Sequence, residues 1–148
     1  MIEQTVRIKK LNDSAKIPTY GTEYAAGADL YACIEDGCTI KAGETKLIKT
    51  GIALEVPVGY AGLIYARSGL ASKKGLAPAN KVGVVDSDYR GEVMVALHNH
   101  SADDKTIEPM ERIAQLVIAP YLKANFEEVD SLEDTTRGSG GFGSTGAK

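Results

Sequence analysis

Two cysteines, Cys33 and Cys38, are all that the chain offers for covalent cross-linking. They allow one disulfide at most and cannot alone complete a four-ligand zinc site, so unpaired structural thiols are expected. Long apolar runs are missing as well: none approaches the ~20 residues a membrane span needs, which points to a soluble protein. The opening "MIEQTVRIKKLN" lacks the apolar segment of a secretory signal, so nothing marks the chain for export and cytoplasm is the expected compartment. There is no basic excess either. The formal net charge is -3, which argues against broad binding to a nucleic-acid backbone but leaves room for a small anion held locally. His98 and His100 in "LHNHS" share a strand face, yet the sequence offers no evident third metal ligand. Neither an internal repeat nor a convincing long helix is present.

What is abundant is period-2 patterning. In "LIKTGIALEVP", Ile48, Thr50, Ile52, Leu54 and Val56 lie on one face, and in "EVMVALH" Val93, Val95 and Leu97 do the same. Further strand candidates are "VRIKKLN", "AGADLYA", "CTIKAGETKLI", "YAGLIYA", "NKVGVVD" and "RIAQLVIAPY", set apart by Gly, Pro, Asp and Ser turn signals. This spacing predicts an all-β sandwich, barrel or jelly roll, and 148 residues suffice for one core. One short helix is expected in "RSGLASKKG", with Ser68 as N-cap, Leu70 and Ala71 inward, two lysines in the last turn and Gly75 as terminator. From Glu127 the chain turns acidic and then glycine-rich, too poor in large apolar side chains for a core of its own. The expected division is a β domain over residues 1–130 and a flexible C-terminal arm over 131–148.

Several residue groups carry chemical potential. A short helix led by Arg67 and Ser68 suits phosphate, because free backbone N–H groups and the positive dipole end point outward together; the plainer reading is a cap and a surface ion pair. Asp86 directly follows an apolar run in "GVVDSDYRG", where a partly desolvated carboxylate can act as a base toward water, or be an ordinary turn residue. The same "GVVD" and "EVMVALH" segments read as hairpin strands joined by a polar turn. Asp29 in "AGADLYA" offers a carboxylate for hydrated Mg²⁺ or for a structural pair. Gln115 in "ERIAQLVIAP" falls on the face of Ile113 and Val117 and needs a polar partner. In "RGSGGFGSTG", glycines allow close backbone approach to phosphate, Arg137, Ser and Thr add donors, and Phe142 can stack on a base. Such a string reads as a lid for a nucleotide, or as a disordered tail.

Five segments in order, "AGADLYA", "RSGL", "GVVDSDYRG", "ERIAQL" and "RGSGGFGSTG", closely resemble the five motifs of the homotrimeric dUTPase family. The resemblance implies a jelly-roll-like distorted barrel, three active sites at subunit interfaces, and Mg²⁺-assisted hydrolysis of dUTP to dUMP and pyrophosphate by water attack on the α-phosphorus. In that pattern Asp86 orients and deprotonates water. Arg67, Ser68 and Gly69 hold the phosphates, with Ser68 and Gln115 assisting catalysis, and Asp29 touches Mg²⁺ through water while the substrate phosphates carry the metal. Asn80 and backbone groups near Val84 and Val85 admit uracil, Tyr89 lies under the deoxyribose, and Met94 lines the same pocket. Arg137, Phe142, Gly143, Ser144 and Thr145 close from another subunit. No nucleic-acid or membrane partner is implied. Ala66 stands where many relatives have proline, and "KKGLAPAN" lies where the family varies; neither touches a proposed catalytic group. Two rivals remain: a dCTP deaminase of similar fold, disfavoured by the uracil segment and Asp86, and a catalytically silent trimer that signals nucleotide occupancy to a protein partner.

Overall fold

The computed structural model describes residues 3–144. Its elements are β1 (Arg7–Lys10), β2 (Thr19–Tyr20), β3 (Ala28–Tyr31), β4 (Cys38–Ile40), β5 (Thr45–Glu55), β6 (Tyr60–Tyr65), a π-helical turn (Leu70–Lys74), β7 (Leu76–Pro78), β8 (Gly83–Val85), β9 (Glu92–Asn99), β10 (Lys105–Ile107) and β11 (Arg112–Pro120). The all-β expectation holds. One sheet has the order β1-β5-β9-β7, a second β2-β3-β11-β6-β8, and β10 with β4 forms a small ladder; every pairing is antiparallel.

The alternating side chains of β5 and β9 explain why the sheets stack. Ile48, Thr50, Ile52, Leu54 and Val56 are all buried, as are Val93, Val95 and Leu97, and they share one core with Leu30, Ile64, Val85 and Leu116 of the second sheet. Burying each such side chain contributes about 1.5–3 kcal/mol. Thr50 is tolerated inside because its hydroxyl donates to the Val93 carbonyl. Partway along β5 the pairing with β9 is interrupted between Lys49 and Ala53. Gly51 sits in that interruption with φ 67, a conformation glycine adopts at little cost. A Cβ there would approach Ala15 Cβ and Cys33 Sγ to 2.8 Å, so the bulge has no room for a side chain.

β7 and β8 lie at sheet edges, and β8 lines the cavity described below. β7 ends in Pro78, which an edge strand accommodates because the missing N–H removes no interior ladder bond. It was not among the strand candidates, nor were the two-residue β2 or β10; short edge pieces leave little period-2 signal. The expected hairpin does not form. β8 pairs with β6 in one sheet, whereas β9 pairs with β5 and β7 in the other. Gly62 makes the β6–β8 approach possible, since a Cβ there would lie 3.2 Å from Val85 Cβ and from Leu116 Cδ1. Residues 86–91 therefore cross between sheets instead of turning within one. After Pro120 the described residues form no helix or strand, and side chains such as Leu122, Phe126 and Leu132 are exposed.

Candidate functional site

A cavity of about 250 Å³ opens where β8, the crossing loop and β9 meet, lined among others by Asn80, Val84, Val85, Asp86, Tyr89 and Met94. Each of these six comes from the sequence reading. Glu92, Leu47 and Ile64 also line it and were missed, because Leu47 and Ile64 sit on different strands and Glu92 reads as an ordinary strand-start residue. As an edge strand β8 has a ladder partner on one side alone, leaving backbone groups on its other side available to a ligand. Asn80 lies beside this strand, its Nδ2 close over Gly83.

Asp86 departs from expectation in one respect. It follows buried Val85 but is itself exposed, and among the described residues its carboxylate accepts no hydrogen bond. The reason is topological: β8 is three residues long and at an edge, so the chain leaves the core immediately after Val85. Its backbone carbonyl accepts the Tyr89 N–H at 3.2 Å, closing a turn. Tyr89 in turn donates its hydroxyl to the Glu92 carbonyl at 2.9 Å.

A second group lies on the β3–β11 ladder. Asp29, 4% exposed, accepts from Arg67 Nε at 2.8 Å through one oxygen and from Arg112 Nη1 at 3.1 Å through the other. Arg67 also donates to the Arg112 carbonyl at 3.3 Å. Of the two readings left open for Asp29, the structural pair is present; Arg112, inside a quoted motif, was missed. Two arginines on one carboxylate leave one net positive charge, and Arg67 keeps guanidinium donors unspent. Gln115 pairs in register with both Asp29 and Tyr65 and is half-buried. The register slips between Arg112 and Ala114, so Ile113 is fully buried and does not share the half-buried setting of Gln115 and Val117.

Ser68 does not cap the short helix. Gly69 is the N-cap, without a side-chain hydrogen bond, and Ser68 instead offers its carbonyl to the Ser72 hydroxyl at 2.7 Å. The Arg67 carbonyl takes the Ala71 N–H at 2.9 Å in an ordinary α-type bond just ahead of the wider π turn. Ser68 and Gly69 are consequently exposed, with the Ser68 hydroxyl unoccupied by the helix it was expected to serve. Gly75 terminates the turn as expected, at φ 69, its N–H returning to the Leu70 carbonyl.

The glycine-rich segment forms a third group. Arg137 Nε donates to the Gly140 carbonyl at 2.8 Å, and Phe142 is fully exposed. Gly143 and Ser144 follow it; Thr145 lies outside the described residues. Within one chain the three groups stay separate: the cavity lining includes neither Arg67, Ser68 and Gln115 nor Arg137 and Phe142.

The fold and the cavity define an all-β protein with a small open cavity at a sheet edge. A dUTPase family model matches residues 13–146. The chain is 55% identical over 141 residues to a deoxyuridine 5'-triphosphate nucleotidohydrolase of Nautilia profundicola, covering 95% of this chain and 98% of that protein. It is 51% identical to the same-named protein of Rickettsia bellii, with 95% of each chain covered. A Staphylococcus bacteriophage 80alpha dUTPase mutant solved with dUpNHpp superposes with TM-score 0.87 at 28% identity, covering 97% of this chain and 99% of that one. The chain belongs to the dUTPase family.

Proposed function

We propose that this protein hydrolyses dUTP to dUMP and pyrophosphate, and that the cavity beside β8 is its uracil and deoxyribose pocket. The observation that carries the reading is the convergence of Asn80, Val84, Val85, Asp86, Tyr89 and Met94 on one cavity. Uracil pairs with the free edge of β8 and with the Asn80 amide, and the Tyr89 ring closes the sugar end, where a 2′-hydroxyl would collide. Asp86 orients a water molecule and takes its proton. The water oxygen bonds to the α-phosphorus, the bond from that phosphorus to its bridging oxygen breaks, and pyrophosphate leaves with the electron pair. Arg67, with the exposed Ser68 hydroxyl and Gly69, binds the phosphates, and Gln115 helps hold the water.

Exposure of Asp86 in the single chain fits a shared site. The reading takes a homotrimer, with Arg67, Ser68 and Gln115 of one subunit facing the pocket of another, and Arg137, Phe142, Gly143, Ser144 and Thr145 of an arm closing over both. Water is then excluded, and Asp86 desolvated, only when subunits and arm come together. Among the described residues no group of three or more His, Cys, Asp and Glu side chains could hold a metal. That donor set fits a Mg²⁺ carried by the substrate phosphates, with Asp29 offering lone pairs beyond its two arginine bonds to a metal-bound water. Such an ion supplies neutralisation of the triphosphate charge. The biological consequence of the reaction is removal of dUTP from the pool available for DNA synthesis and supply of dUMP, in the cytoplasm; no helix of the described residues is long and apolar enough to cross a membrane.

The test is to incubate the protein with Mg²⁺ and dUTP, dCTP, dTTP, dATP, dGTP or UTP in turn, measuring pyrophosphate and the nucleoside product. Rapid pyrophosphate release from dUTP alone is expected. Ammonia release from dCTP would establish the deaminase instead, and comparable turnover of UTP would remove the sugar assignment of Tyr89.

A further inference from the structure

Tyr89 sits on the loop crossing between sheets and is 43% exposed, a setting in which a tyrosine ring ordinarily samples several rotamers. Three contacts hold it. Its N–H closes the turn onto Asp86, its hydroxyl donates to the Glu92 carbonyl at 2.9 Å, and its ring end lies against Gly91. The last leaves no room for a side chain at position 91. A Cβ on Gly91 would stand 2.5 Å from the Tyr89 hydroxyl and 2.6 Å from Cζ, whereas Gly91 has no positive φ that would demand glycine for backbone reasons.

Glu92 is fixed independently. Its Oε1 accepts the Gly51 N–H at 2.9 Å, the amide left without a ladder partner where β5 bulges, and its backbone stands opposite Ala53 in the ladder. Gly51 is held on its other side by the Leu11 N–H, which its carbonyl accepts at 2.7 Å. A continuous mechanical line therefore runs from a core bulge through Glu92 to the tyrosine ring.

Resting on the proposed sugar-sensing role of Tyr89, we infer that Gly91 and Glu92 are positioning residues for sugar discrimination: Gly91 by leaving room for the ring, Glu92 by tethering its hydroxyl acceptor to the β5 bulge. A methyl group at position 91 meets only the far end of an exposed side chain, which can swing toward solvent. Selectivity should suffer while the fold does not.

The experiment compares kcat/KM for dUTP and UTP, together with thermal midpoints, in Gly91→Ala, Glu92→Ala, Glu92→Gln and Tyr89→Ala. Gly91→Ala should lower the dUTP-to-UTP preference by at least about tenfold, the scale of one misplaced group in a binding pocket, with Tm within a few degrees of the parent. Glu92→Ala should lower the preference less, and Glu92→Gln, which keeps an oxygen acceptor for Gly51, should restore it. An unchanged preference in folded Gly91→Ala, alongside a collapsed one in Tyr89→Ala, overturns the inference while sparing the sugar reading. An unchanged preference in Tyr89→Ala overturns both. Should Gly91→Ala fail to fold, the two Glu92 variants decide: equal preference in both sinks the tether.

Discussion

Asp29 and Asp86 are the two carboxylates to which the proposed function gives a part, and they are held in opposite ways. Asp29 is buried and answers two guanidinium groups; Asp86 is exposed and, among the described residues, answers none. A buried carboxylate with one arginine on each oxygen is a fixture, because moving it would strand charge away from water. A carboxylate at the open end of a three-residue edge strand is free to meet a ligand. The difference separates the residue that holds Arg67 from the residue proposed to act on water, and it follows from strand position: β3 is interior to its sheet, β8 at the edge.

The largest effect that would sharpen this contrast comes from completing the site around Asp86. Truncation before Arg137 should leave the thermal midpoint nearly unchanged, since residues 121–144 contribute no strand, yet lower kcat/KM by about a hundredfold or more through lost closure and positioning. Mixed with an Asp86→Asn protein under conditions of subunit exchange, the truncated chain should regain part of its turnover. Exchange without any rescue would break the idea that the arm serves a neighbour.

Next in size is the fixture itself. Asp29→Ala leaves two arginines competing for no partner, and should destabilise the protein by about 3 kcal/mol, read by denaturant unfolding. The solvent-facing side of Arg112 places this at the low end for a buried pair. Asp29→Asn should cost less stability but raise KM for dUTP, because a neutral amide no longer holds Arg67 Nε so firmly. A variant as stable as the parent would break the distinction between the two carboxylates. Smallest is Met94→Ala: the side chain lines the cavity while 39% exposed, so losing it should raise KM roughly fivefold, about 1 kcal/mol of apolar contact, with little change in kcat.

Much of this was legible in the sequence, and the exceptions have physical causes. Alternation in β5 and β9 identified the core face because a side-chain period of 2 has a single buried solution. Asp86 was singled out because it follows an apolar run, and the other cavity residues, Asn80, Val84, Val85, Tyr89 and Met94, were named from the family resemblance. What escaped was non-local. Nothing in "GVVD" says that its ladder partner is β6 and not the strand that follows, since pairing is decided by the Gly62 approach 21 to 23 positions earlier in the chain. Arg112 was overlooked because its partner Asp29 is 83 residues away, and Glu92 because its carboxylate is spoken for by a bulge amide on β5. Ser68 was misread as a cap because propensity cannot foresee a π turn that begins at Leu70 and takes Gly69 as its N-cap.

The most direct measurement sets the two carboxylates side by side: pyrophosphate release from dUTP at saturation, binding of a non-hydrolysable analogue by calorimetry, and thermal midpoint, for Asp86→Asn and Asp29→Asn. Asp86→Asn should lose at least about a hundredfold in kcat, the scale of general-base assistance, with analogue binding and Tm close to the parent. Asp29→Asn should show the reverse pattern, a lowered Tm and weakened binding with a smaller loss in kcat. A folded Asp86→Asn protein that turned over dUTP within a few-fold of the parent would contradict the assignment of Asp86 as the base.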